Sequence, residues 1–164
     1  MINLPDGCFN DDDIRTYRYL ANQVPQNGRM IELGVHHGKS LCSIADIIRE
    51  KDMIVDAVDV FTPPDKAKEF FHRNIENFGI KVNLLVGLTS EMYCQFIDSC
   101  FDLVFIDADH RYEGFKSDIE NYLPKVKTGG ILAGHDYNLP DIKLALEEKF
   151  NNINHDQKIW WIIK

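Results

Sequence analysis

Two stretches of this chain bring acids and an imidazole to the ends of apolar runs. Phe101-Asp102-Leu103-Val104-Phe105-Ile106 leads into Asp107-Ala108-Asp109-His110, and Ile131-Leu132-Ala133-Gly134 leads into His135-Asp136-Tyr137. Short apolar runs bounded by turn residues read as buried strands. Each run therefore delivers its acids at a strand mouth. If the two strands are neighbours, ~4.8 Å apart, Asp107 and Asp136 can share one cation. Oxygen-rich ligation suits magnesium, manganese or calcium, and adding His135 shifts the balance toward a transition metal. The plain alternative is that these charges cap helices or pair with Lys and Arg.

A second candidate is the loop Glu32-Leu33-Gly34-Val35-His36-His37-Gly38-Lys39-Ser40. Three glycine patterns compete for it. A dinucleotide fingerprint needs G-x-G-x-x-G, but His36 and Lys39 stand at the second and third glycine positions. A phosphate-cradling loop needs G-x-x-x-x-G-K-[ST]. Gly38-Lys39-Ser40 supplies that ending, yet Leu33 stands where the first glycine belongs. The third pattern is E-x-G-x-x-x-G. Its glycines, Gly34 and Gly38, let the backbone pass close beside a ligand that has no phosphate to cradle. Glu32 adds negative charge near a cationic ligand. His36 and Ser40 are further contact candidates in this loop. The plain alternatives are a tight turn that needs glycine for geometry alone and loop histidines (His36, His37) that are merely solvated.

Two more strand ends carry candidates. Asp59 follows the run 54–58, where a carboxylate can accept both ribose hydroxyls of an adenosine. Residues 87–90 could meet an adenine edge, although Ser90 is explained equally well as a helix cap.

These positions work together only if the strands end at one rim. The chain has 164 residues, 45% hydrophobic and 27% charged, which fits one globular domain rather than disorder. Apolar residues at helical spacing (Ile14, Tyr17, Leu20, Ala21, Val24) follow an Asn10–Asp13 cap-like cluster. Strand-like runs then alternate with helical stripes. Strands are expected at 30–35, 54–60, 82–86, 101–106, 131–134 and 158–164. Helices are expected around 41–48, 67–78, 90–97, 112–123 and 142–150. Alternation of this kind implies right-handed crossovers and a doubly wound, mostly parallel α/β sheet with helices on both faces. Such sheets bind ligands beyond the carboxyl ends of their strands, near the point where strand order reverses. The expectation is a single domain over 1–164, with 1–28 as an N-terminal helical segment.

Against this frame, residues 30–40 (MIELGVHHGKS) resemble motif I of the class I S-adenosylmethionine (AdoMet) methyltransferases. Residues 105–137 (FIDADHRYEGFKSDIENYLPKVKTGGILAGHDY) resemble the second half of a compact group within that family. That group is similar to metal-dependent O-methyltransferases acting on sugars and natural-product hydroxyls. With Asp59 and the terminal Ile159-Trp160-Trp161-Ile162 strand, the resemblance spans nearly the whole chain. It implies that Glu32, Gly34 and Gly38 line the methionine end of AdoMet and that Asp59 holds the ribose. His36, Ser40, Ser90 and Asp107 join the cofactor-binding candidates. It further implies that Asp107 and Asp136, with His135 as a third candidate ligand, hold a divalent cation, and that Asp109 or His110 is the general base. The implied reaction is O-methylation of a small hydroxylated metabolite or sugar. A nucleotide hydrolase of the phosphate-loop type and a non-catalytic AdoMet-binding module remain the alternatives.

Charge and composition bound the partners. Eighteen basic residues against 26 acidic ones give a net charge of −8, which argues against nucleic acid and against an anionic membrane. Residues 1–10 lack the charged and apolar regions of a signal peptide. Four scattered cysteines without C-x-x-C read as free, buried thiols, with Cys42 and Cys94 on helical stripes. The expectation is a cytoplasmic protein with a small-molecule substrate. Only one strand is expected after the last helix, where the fold usually has a hairpin. That leaves the substrate pocket incomplete in one chain, and a homodimer would complete it.

Overall fold

The structure is a computed structural model and describes residues 3–62 and 66–164. Its elements run α1 (Asp11–Gln23), β1 (Arg29–Leu33), α2 (Lys39–Ser43), α3 (Ala45–Glu50), β2 (Ile54–Asp59), α4 (Ala67–Asn77) and β3 (Asn83–Val86). They continue with α5 (Thr89–Met92), β4 (Phe101–Ile106), α6 (Tyr112–Tyr122), β5 (Val126–Gly134), α7 (Pro140–Lys149), β6 (Asn154–Asp156) and β7 (Ile159–Ile163). The strands form one sheet in the order β3-β2-β1-β4-β5-β7-β6. The first five are parallel, and β7 runs antiparallel to both β5 and β6. Chain order reverses between β1 and β4, so the rim above that pair is where a doubly wound sheet binds its ligand.

Alternation along the strands divides the core into two layers, because successive side chains leave opposite faces of a sheet. Met30, Leu103, Phe105 and Ala133 face a layer closed by Tyr17, Leu20, Ile44, Ile48 and Phe71, which come from the first half of the chain. Ile31, Val104, Ile106 and Leu132 face the other layer, closed by Phe115, Ile119, Tyr122, Ile142 and Trp160. The near-continuous apolar run of β4 follows from this burial on both faces.

The local signals explain most boundaries. Asn10 caps α1 through its side chain, and Asp13 completes a reciprocal capping box. Gly79 takes φ +64° just past α4, as a left-handed cap requires.

Four expectations need correction. The helix expected around 41–48 is two short helices that break at Ile44, whose φ of −114° leaves the helical region. Gly129 and Gly130 lie inside β5 rather than before it. There the register against β4 shifts between Phe101 and Leu103, and glycine suits such a bulge. The sheet does end in a hairpin, since β6 pairs with β7 through a turn containing Gln157 at φ +52°. The missed strand is three residues long and polar (Asn154, His155, Asp156), so it has no apolar alternation to betray it. Finally, only Cys42 is buried, while Cys8 and Cys94 are exposed and Cys100 is half-buried. Cys94 sits on a short 3₁₀ turn after α5 that buries none of its residues. Among the described residues, no helix is long and apolar enough to cross a membrane.

Candidate cofactor and cation site

The loop after β1 is held from the neighbouring strands. Gly34 donates its N–H to the Val58 carbonyl at 2.8 Å. Its φ is +81°, and a Cβ there would come within 2.0 Å of the Asp107 backbone carbonyl. Gly38 also has positive φ, +78°, and a Cβ would meet the Phe71 ring at 3.1 Å. The fold alone therefore demands both glycines: one lets β1 pass against the end of β4, the other seats α2 on α4.

Asp59 organises the same loop. One carboxylate oxygen accepts the N–H groups of Val35 and His36, both at 2.8 Å, and the other accepts Phe61 N–H at 2.8 Å. The His36 and His37 rings stack at 3.8 Å, and His37 meets Phe70 edge-on at 5.0 Å. His36 is exposed at the rim. Gly87, in the loop after β3, donates to the Asp59 carbonyl at 3.0 Å, and Ser90 is exposed in the first turn of α5.

Glu32 and Ser40 lie beneath this loop, not on its surface. Glu32 is fully buried. It accepts hydrogen bonds from Tyr17 Oη at 2.6 Å and from Ser40 Oγ. Burial pushes its carboxyl up to about 8, against the opposing pull of those two hydroxyls. Lys39 does not turn toward a phosphate nest: its Nζ donates to the Gly7 carbonyl at 3.2 Å.

The second half of the site forms where β4 and β5 end side by side. His135 donates its backbone N–H to the Ile106 carbonyl at 3.1 Å, which locks the two strand ends together. His110 Nε2 sits 2.8 Å from Asp136 Oδ2 and 3.4 Å from Asp107 Oδ1. One donor atom from each of Asp107, His110 and Asp136 lies within 4.8 Å of the others. Hydrogen bonds to Asp107 and Asp136 push the His110 imidazole up to about 10. The same contact with His110, and a second with His135, holds Asp136 well below the usual carboxylate range. Burial raises Asp107, partly offset by the two imidazoles.

His135 and Asp109 stand differently from Asp107, His110 and Asp136. His135 is 4% exposed and lies behind the acids. Its Nδ1 faces Asp136 at 3.3 Å and Asp107 at 3.8 Å, while Nε2 faces Asp13 at 3.4 Å. Burial works against its charged form, but these carboxylates outweigh it and raise its pKa. Asp109 spends both oxygens on the exposed Arg111 side chain, at 2.5 to 3.2 Å, and also accepts Arg111 N–H at 3.0 Å. Those bonds to Arg111 lower its pKa. So His110, not Asp109, reaches the acid pair.

Sequence reasoning missed Asp13 and Phe9, which back the site from the N-terminal segment. Only the capping pattern marks Asp13, and that pattern says nothing of His135. Elsewhere, a cavity of about 450 Å³ opens among Tyr19, Lys127, Gly129 and Trp161. It lies toward the amino ends of β4 and β5, away from the acids.

A glycine loop at the reversal point of a doubly wound sheet, beside paired acids, is the architecture of a class I AdoMet methyltransferase. Residues 31–137 match the family described as a methyltransferase domain, and the chain belongs to that family. A curated relative, the uncharacterised protein y4gI of Sinorhizobium fredii, is 29% identical over 117 residues. That match takes in 66% of this chain but only 13% of the relative. Among solved structures, a Staphylococcus aureus protein provisionally assigned as a caffeoyl-CoA O-methyltransferase superposes with a TM-score of 0.75 at 19% identity, over 96% of this chain and 85% of that one. Cofactor-bound Rv0187 from MTB gives 0.74 at 18% identity, over 96% and 82%. An rRNA methylase from Streptococcus thermophilus gives 0.69 at 14% identity, over 96% and 99%. These likenesses establish the fold. The last of them leaves the exclusion of nucleic acid, drawn above from net charge, without support. The family and the direction of Lys39 together displace the nucleotide-hydrolase alternative.

Proposed function

We propose that the protein methylates a hydroxyl of a small metabolite or sugar, using AdoMet and assisted by a divalent cation. The observation that carries this reading is the convergence of Asp107, His110 and Asp136 at the mouths of adjacent strands, beside the glycine loop. When bound, AdoMet supplies a sulfonium methyl that an oxygen nucleophile takes by in-line displacement. The loop fits such a ligand, because Asp59 fixes its backbone at the rim where strand order reverses. The Asp59 oxygen that accepts Phe61 N–H has a further lone pair, which a ribose hydroxyl can share.

The carboxylates of Asp107 and Asp136 fit magnesium or manganese. When bound there, a cation would lower the pKa of the acceptor hydroxyl and relieve the negative charge that keeps His110 protonated. Asp107 and Asp136 hold the charge of that position. His110 is the proton acceptor, since it is half-exposed and touches both acids. Asp109 fixes the turn before α6 through Arg111. Tyr137, whose ring stacks on His155 at 4.4 Å, ties the loop after Asp136 to the β6–β7 hairpin. The free thiols accord with a reducing cytoplasm.

Titration calorimetry with AdoMet, followed by a methyl-transfer assay over a panel of hydroxylated acceptors with and without EDTA, tests the reading. Micromolar AdoMet binding and EDTA-sensitive turnover are expected. No AdoMet binding defeats the proposal outright, and full turnover in EDTA removes the cation from it. Methylation of RNA but of no small hydroxylated compound replaces the substrate class.

A further inference from the structure

Asp13 sits in the first turn of α1, on the side of His135 opposite the acid pair. The Asp13 side chain is 0% exposed and that of His135 3%. One Asp13 oxygen accepts Asn10 N–H at 2.9 Å and faces His135 Nε2 at 3.4 Å. Among the described residues, the other oxygen is buried without a hydrogen-bond partner, as is His135 Nε2. Phe9 covers the imidazole face, stacked at 5.0 Å with 23° between the planes, and packs edge-on against Tyr17 and Phe105.

A helix cap does not require this burial. The capping bond to Asn10 works equally well at the surface, where the carboxylate stays hydrated. Burying a carboxylate is costly unless opposite charge compensates it. The buried group beside it is His135, 3.4 Å away, whose other nitrogen faces Asp136 and Asp107. Asp13 at 3.4 Å from Nε2 and the Phe9 ring stacked on its face leave the imidazole one packed orientation.

We infer that Asp13 is a positioning residue of the candidate site: with Phe9, it fixes His135 so that the ring sets the stance of Asp136 and Asp107. The N-terminal segment thereby forms the back wall of a site whose front residues all come from the loops that follow β4 and β5. The link to cation binding rests on the proposed function, whereas the link from Asp13 to His135 does not.

The test uses the full chain without ligand, then Mn²⁺ alone. Asp13→Asn keeps an acceptor for Asn10 N–H but removes the charge. Asn10→Ala removes the cap and keeps the charge. In Asp13→Asn, the His135 imidazole ¹⁵N resonances at fixed pH are expected to shift, and Mn²⁺ affinity to fall by about 10- to 100-fold. In Asn10→Ala, thermal stability falls while those resonances and the Mn²⁺ affinity stay as in the unaltered protein. Unchanged His135 resonances in Asp13→Asn overturn the inference, as do equal effects of the two substitutions. If the unaltered protein binds no Mn²⁺, the cation reading fails and the resonances alone decide the positioning role. Should Asp13→Asn not fold, Asp13→Glu replaces it: the retained charge sits one methylene further out, a smaller His135 shift is expected, and no shift overturns.

Discussion

The Asp59 carboxylate at the end of β2 accepts the backbone N–H of His36, in the loop after β1, at 2.8 Å. A residue that sequence pattern marks for a ribose is thus also the anchor of the glycine loop. Those two roles are compatible, because a carboxylate has about four lone-pair sites and three N–H groups use them here. They change what a substitution does.

Asp59→Ala leaves three backbone donors without their side-chain acceptor. Stability should fall by on the order of 2 kcal/mol, and AdoMet affinity should fall with it by about tenfold or more. Thermal unfolding and calorimetry read the two separately. Unaltered stability would dismiss the loop-anchoring role, and unaltered affinity would dismiss any part in binding.

Gly34→Ala should destabilise strongly, by roughly 3 kcal/mol or more, since it combines positive φ with a backbone clash. The clash is with the Asp107 carbonyl, so the damage should reach the acid pair as well as the loop. Chemical denaturation checks it; a variant as stable as the unaltered protein would mean that the β1 loop does not approach β4 this closely.

Glu32 gives a signed dependence on pH. Its carboxyl, pushed up by burial to about 8 from an ordinary 4.5, keeps its proton in the folded state after the unfolded chain has lost one. Its contribution is fully present below about 4.5 and is lost as pH rises through about 8. Glu32→Gln should therefore flatten stability across that window. Urea midpoints measured through it should decline with pH for the unaltered protein and less so for the variant. Parallel declines would show that Glu32 is not the group responsible.

Asp136→Asn removes the nearer of the two carboxylates that keep His110 protonated. The His110 midpoint, pushed up to about 10, should move back toward its ordinary 6.5. An imidazole raised in this way stabilises the fold below about 6.5 and loses that contribution as pH climbs through about 10. The variant should lose less stability in alkali. Proton NMR of the His110 ring follows the midpoint directly, and a midpoint that stays near 10 would falsify the pairing.

Some of this protein was legible without coordinates. A helix with one buried face announces itself by period 3.6, as in α1 with Tyr17 and Leu20, and a strand buried on both faces by a near-continuous apolar run, as in β4 from Phe101 to Ile106. From their alternation came the doubly wound sheet, and from the sheet the expectation that Gly34, Asp59, Asp107 and Asp136 share one rim. The polar β6 strand gave no such signal, because a short edge strand buries too little to leave an apolar pattern.

Only the tertiary structure decided how each side chain is used. Glu32 and Ser40 turn out to bond to each other below the loop, Asp109 is taken by Arg111, and His135 stands behind the acids where His110 stands before them. Asp13 enters the same cluster from the opposite end of the chain. Sequence periodicity reports which face an element buries, but hydrogen bonds and charge pairs between distant segments depend on distances of a few tenths of an ångström. Packing alone sets those distances.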